Sequence, residues 1–233
     1  MNRKKIIITL DGPAGSGKST VAKRLSERLG LDCLDTGAMY RLVAWALREK
    51  KQENLSGEPL LRFLRGLDFK IEGHGPEQKV WHLGREIGQE IRKPEISRLA
   101  SDISRRPEVR AVLAEKQRSL GSGGGIVAEG RDMGTVIFPA AEYKFFLDAT
   151  LEVRAKRRSQ ELLEKGQPVS LETVRQEMKE RDFQDQQRAL APLRPAKDAR
   201  IIDTSGMSVE EVVQYIRSRI EEGEKSPERI VSS

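Results

Sequence analysis

The stretch Gly12-Pro13-Ala14-Gly15-Ser16-Gly17-Lys18-Ser19-Thr20 constrains this chain more than any other. Gly12 to Ser19 fills the G-x-x-x-x-G-K-[ST] spacing completely. Glycines lack Cβ, so their backbone can wrap closely around an anion. The loop N–H groups then converge on phosphate oxygens, and the following helix adds the positive end of its dipole. Lys18 is placed to reach a phosphate, and the Ser19 hydroxyl to ligate Mg²⁺. Such a loop works between a buried strand and a helix. Ile6–Leu10 is a continuous apolar run, as in a strand buried on both faces. Val21, Ala22, Leu25 and Leu29 recur at helical spacing up to Gly30. A glycine turn that merely joins strand to helix has no need of Lys-Ser at its end.

The rest of the chain repeats that alternation. Leu31–Leu34 reads as a second strand, Ala38–Arg48 and Leu60–Leu67 as helices. Asp68–Glu72 and Lys79–Leu83 alternate around a turn at Gly73–Pro76, with extended pieces over Glu86–Ile91, which predicts a small antiparallel insertion ending near Pro94. Glu95–Ile103 and Pro107–Leu120 read as helices, Gly125–Glu129 and Tyr143–Leu147 as strands. Thr150–Lys165 and Ser170–Arg188 are charged helices joined at Gly166-Gln167-Pro168. Arg200–Asp203 closes as a strand, Ser208–Glu222 as an amphipathic helix, and a loose tail is expected over 223–233. The pattern implies an α/β fold with a parallel sheet covered on both sides.

Composition excludes several classes. No run of apolar residues is long enough to span a membrane, and the apolar run after the basic Met1–Lys5 is too short for a signal peptide. One cysteine, Cys33, permits neither an internal disulfide nor a cysteine zinc site, and His74 and His82 make a poor metal pair, so a reducing cytoplasm is expected. The net charge of +6 calls for an anionic partner. The basic residues are interleaved with acids, and aromatics are only 5%, so no nucleic-acid stacking surface is expected. No Asn-Lys-x-Asp tetrapeptide occurs, which disfavours a guanine-nucleotide switch.

A second set of residues is rich in arginine. Asp35-Thr36-Gly37-Ala38-Met39-Tyr40-Arg41 follows the second strand; Thr36 is placed to cap a helix or to read a base edge. Glu129-Gly130-Arg131-Asp132 follows the third strand, at a carboxyl end where open α/β sheets bind ligands; an exposed salt-bridged turn has the same composition. Arg181, Asp185 and Arg188 share a helix face, and Arg154, Lys156, Arg157 and Arg158 form an earlier cluster. The two helices can form a closing lid. Solvated faces with ion pairs of about 0.3–0.5 kcal/mol each would show the same spacing.

These stretches, with Ile91-Arg92-Lys93-Pro94-Glu95-Ile96-Ser97, Gln117-Arg118, Met133-Gly134-Thr135-Val136-Ile137-Phe138-Pro139, Ala191-Pro192-Leu193 and Ile202-Asp203-Thr204-Ser205, resemble bacterial cytidylate kinases from about Ile7 to Val213. The resemblance implies one domain with a three-layer P-loop core (1–37, 121–150 and 190–222). It also implies a monophosphate-binding region (38–120) carrying the β insertion at about 68–94, and a lid (151–189). It implies ATP and Mg²⁺, CMP or dCMP as acceptor, and a monomer. Residues 12–20 with Arg157 and Arg158 would contact ATP. Thr36, Ser101, Arg110 and Asp132 would contact cytosine. Arg41, Arg131 and Arg188 would hold the acceptor phosphate or nearby groups, Asp185 the sugar, with Arg181 joining from the lid. Ser101 and Arg110 rest on the resemblance alone. Thr36 stands where serine is common and keeps the hydroxyl; Lys93 stands where threonine is usual, which leaves that position's role open.

Overall fold

The computed structural model describes residues 5–72, 79–164 and 166–223. His74, the turn at Gly73–Pro76, the end of the first charged helix at Lys165 and nearly all of the expected tail lie outside the described residues.

Five parallel strands form the central sheet in the order β2-β6-β1-β7-β8: β1 (Ile7–Asp11), β2 (Asp32–Asp35), β6 (Ile126–Gly130), β7 (Tyr143–Asp148) and β8 (Arg200–Asp203). Successive residues serve opposite faces. Leu34, Ile126 and Ala128 pack under α2 (Thr36–Glu49), α4 (Pro94–Ile103) and α5 (Pro107–Gly121). Cys33, Val127, Phe145 and Leu147 pack under α1 (Lys18–Leu29) and α8 (Val209–Glu221). This is the three-layer arrangement expected of a parallel sheet whose strands read as apolar runs.

A three-stranded antiparallel sheet, β3 (Phe69–Glu72), β4 (Lys79–His82) and β5 (Arg85–Glu86), follows α3 (Gly57–Arg65). Beyond Glu86 the expected extended pieces give way to a 3₁₀ turn at Glu90–Arg92, whose Ile91 is buried against the α2 side of the core. The charged helices are α6 (Leu151–Glu164) and α7 (Leu171–Gln187). Arg188 stands just past α7, with extended backbone, and not on its helical face.

Candidate active site

The carboxyl ends of β1, β2 and β6 converge on the phosphate loop. Gly12 needs its missing Cβ: its φ is 148°, and a Cβ there would lie 2.0 Å from the Leu147 carbonyl oxygen. Lys18 is buried, and its Nζ donates to the Pro13 carbonyl at 2.6 Å and to Ser16 Oγ at 3.3 Å. Burial, then repulsion from Arg131, brings its pKa down to about 7 against the pull of Glu129 and Asp11.

Ser19 Oγ donates to Glu129 Oε1 at 2.7 Å. Burial and the neighbouring Asp35 raise Glu129, while Lys18 opposes the rise. Burial also acts to raise Asp35, but Arg41, the Ala38 N–H and Glu129 outweigh it and hold its carboxyl below the usual range. The two carboxyl groups are thus shifted in opposite directions, Glu129 up and Asp35 down. Asp35, not Thr36, caps α2, accepting from Ala38 N; the buried Thr36 hydroxyl donates instead to the Glu129 carbonyl at 2.8 Å. Hydroxyl and carboxylate oxygens are the hard donors that suit Mg²⁺, so Ser19 with Glu129 and Asp35 behind it fits that ion.

The loop after β6 turns sharply. Asp11, buried at the end of β1, accepts from Met133 N and Gly134 N at 2.8 Å each and so fixes the π-helical turn Met133–Ile137. Burial raises its pKa to about 7 despite those bonds. This turn places Asp132 in an ion pair with Arg110 of α5, both buried. Tyr40 lies under the same guanidinium, 6.0 Å from ring centroid to Cζ. Arg110 also donates to the Ser104 carbonyl at 3.3 Å, and Arg188 Nη1 lies 3.4 Å from Ser104 Oγ. Ser101 sits on α4, its carbonyl accepting from the Oγ of Ser104, the residue just past that helix.

Arg131 Nε donates to Asp185 Oδ2 at 2.9 Å, and Arg188 Nη2 lies 3.6 Å from Asp185 Oδ1. Arg41 pairs with Asp35 at 3.1 Å. Arg181 is lowered to about 10, first by burial and then by Arg131, with Arg41 and Arg158 adding repulsion against Asp185. Arg181 Nε, Arg41 Nε and Arg188 Nη2 are buried without hydrogen-bond partners among the described residues. Buried cations that repel one another and keep spare N–H donors are stabilised by an anion, and the guanidinium fork matches phosphate.

The remaining site expectations lie at the edge of this cluster. Arg157 donates to the Thr204 carbonyl at 2.6 Å and hydroxyl at 3.2 Å, beside the phosphate loop, whose Ser16 carbonyl accepts from the same hydroxyl. Arg158 pairs with Glu161 at 2.7 Å on α6. Asp11, Glu129 and Asp35 were not singled out as functional from the sequence. Their signal was a carboxylate at the end of an apolar strand, repeated in β1, β2 and β6.

Cytidylate kinase is the family whose model matches residues 8–222. The chain is 46% identical over 92% of its length to a cytidylate kinase from Oleidesulfovibrio alaskensis, covering 98% of that protein. It is 43% identical to one from Vibrio cholerae, covering 92% of this chain and 97% of that one. An uncharacterized protein from Eubacterium ventriosum of known crystal structure matches 93% of this chain and 99% of its own at a TM-score of 0.50 and 15% identity, a likeness of fold alone. With a phosphate loop facing a half-buried arginine cluster, and a family match spanning nearly the whole chain, this protein belongs to the cytidylate kinase family.

Proposed function

We propose that this chain transfers the γ-phosphoryl group of ATP to CMP or dCMP, giving ADP and CDP or dCDP. The observation that carries the reading is the buried Asp132–Arg110 pair, close enough to Arg188 and Arg131 for their charges to act on Asp132. A carboxylate accepts from the cytosine amino group and repels the uracil carbonyl; Arg110 satisfies its other oxygen and offers donors to the base. Thr36 and Ser101 complete the base side, Arg41, Arg131 and Arg188 the acceptor phosphate, and Asp185 the sugar.

The acceptor phosphate is already anionic at neutral pH, its second pKa being about 6, so no protein base is needed. Its oxygen attacks the γ-phosphorus, the bond to the β-phosphate oxygen breaks, and ADP leaves. Lys18, Arg131, Arg181 and Arg188 neutralise the charge spread over the transferred group, and residues 12–20 align the donor. Ser19, with Glu129 behind it, would hold Mg²⁺, which when bound would add to the neutralisation of the donor phosphates. Arg157 and Arg158 cover the ATP side as residues 151–189 close over residues 1–37, 121–150 and 190–222, with 38–120 carrying the acceptor. The same reading takes the enzyme as a cytoplasmic monomer acting on small molecules, without nucleic-acid or membrane partners. Cys33 is buried, and among the described residues no helix is long and apolar enough to cross a membrane.

A coupled ADP-release assay with Mg-ATP and, in parallel, CMP, dCMP, UMP and AMP tests this. CMP and dCMP should be preferred by about ten-fold or more in kcat/KM. Turnover with none of them, in protein that still binds ATP, would sink the acceptor assignment.

A further inference from the structure

We infer that Arg154 and Asp182 form a positioning pair that ties helix α7 to the phosphate loop, so that the donor and acceptor sites respond to each other. The inference rests on the reading that the loop takes the donor and the Arg131–Asp132 side takes the acceptor. Arg154 is buried at the start of α6. Its Nε donates to the Ala149 carbonyl, just past β7, at 2.9 Å. Its Nη1 donates to the Ala14 carbonyl at the loop tip at 3.1 Å and to Asp182 Oδ2 on α7 at 2.5 Å. One rigid fork thus spans the sheet end, the loop and the helix that bears Arg181 and Asp185.

The apolar contacts run the same way. Ala155, Leu162, Val174 and Met178 make a small core of α6 and α7, separate from the two large ones, and Ala14 packs against it. A Cβ on Gly15 would lie 2.8 Å from Met178 Cε and 3.2 Å from Arg154 Cβ. The loop tip is therefore part of the surface on which the helix pair rests. Asp182 Oδ1 is buried with no hydrogen-bond partner among the described residues, so the pair keeps one acceptor through which α7 can be held in a second setting. When donor phosphates draw in the loop amides, a shift of Ala14 reaches Asp182 through the Arg154 fork. It then reaches the acceptor side one turn further along α7, where Asp185 bonds Arg131. Arg154 touches neither substrate in this scheme; it acts through the loop and through α7.

Coupling of this kind is reciprocal and measurable at equilibrium. The experiment is a calorimetric titration of CMP into the full chain, with and without a saturating non-hydrolysable ATP analogue and Mg²⁺. In the wild type the analogue should tighten CMP by about five-fold or more. Asp182→Asn keeps the shape and loses the charge; Arg154→Lys keeps the charge, but one ammonium cannot span Ala149, Ala14 and Asp182 together. In both, CMP affinity without the analogue should stay as in the wild type, and the tightening should fall below about two-fold. Wild-type tightening in both folded variants would overturn the pair's role. A wild type whose CMP affinity ignores the analogue would overturn the coupling, whether or not either variant folds. CMP that fails to bind the wild type under any condition would instead overturn the acceptor reading.

Discussion

The two halves of the phosphate path are built on different principles. On the proposed donor side the phosphate loop offers backbone N–H groups and one lysine, whose Nζ donates, among the described residues, to the loop oxygens Pro13 O and Ser16 Oγ. On the proposed acceptor side charged side chains are already paired: Arg110 with Asp132, Arg131 and Arg188 with Asp185, Arg41 with Asp35. A backbone cradle recognises phosphate whatever base is attached, whereas a fixed carboxylate–guanidinium pair recognises a particular base edge. The cost of the second design is stability that depends on both partners, since a buried charge left alone is severely penalised.

Substitutions on the two sides should therefore fail differently. Lys18→Ala should lower kcat by about a thousand-fold and leave the melting temperature unchanged or slightly higher, because a desolvated ammonium is removed. Steady-state kinetics and thermal melting check both halves; near-wild-type turnover in the folded variant would contradict the role. Arg110→Met strands the Asp132 carboxylate and should cost about 3–5 kcal/mol of stability, read from urea unfolding. A loss of less than about 1 kcal/mol would mean that the acceptor side is no more interdependent than the donor side. Gly130→Ala brings a Cβ within 2.8 Å of Thr36 Oγ1 and 2.9 Å of Met133 Cε. It should cost about 1–3 kcal/mol in the same unfolding experiment and weaken CMP more than ATP.

The smallest effect concerns protons. The folded-state pKa of Lys18 is about 7, below its ordinary 10.5. Between those values the unfolded chain binds a proton that the folded one does not, so this group makes stability rise with pH across the window. Donor phosphates should restore the charge. At pH 8 ATP binding should therefore take up a fraction of a proton, seen as a dependence of the calorimetric enthalpy on buffer ionisation. Equal enthalpies in two such buffers would place Lys18 as fully charged before binding.

Much of this difference could be read from residue order, and some could not. Gly12 to Thr20 announces itself because phosphate cradling demands glycines and Lys-Ser at fixed spacing, and its flanking strand and helix follow. The sheet strands were legible because both their faces are buried, so Ile126–Ala128 and Phe145–Leu147 read as unbroken apolar runs. The π-helical turn after Asp132 was not legible: it depends on Asp11, more than a hundred residues earlier, offering both carboxylate oxygens to Met133 and Gly134. Arg110 was invisible in a helix of mixed charge and entered only through resemblance, although it falls with Leu113 and Gln117 on the buried stripe of α5. A charge on an apolar stripe was the available signal. By spacing Arg154 is one of a basic cluster with Lys156, Arg157 and Arg158, and spacing alone does not say which member turns inward.

In the proposed reading the Asp132 carboxylate selects cytosine. The direct test is kcat/KM for CMP and UMP, wild type against Asp132→Asn, with folding checked by melting. The wild type should prefer CMP by about ten-fold or more, and the asparagine variant should lose most of that preference, because an amide both accepts and donates. An unchanged CMP preference in the folded Asp132→Asn enzyme would contradict the claim and move base selection elsewhere in the acceptor site.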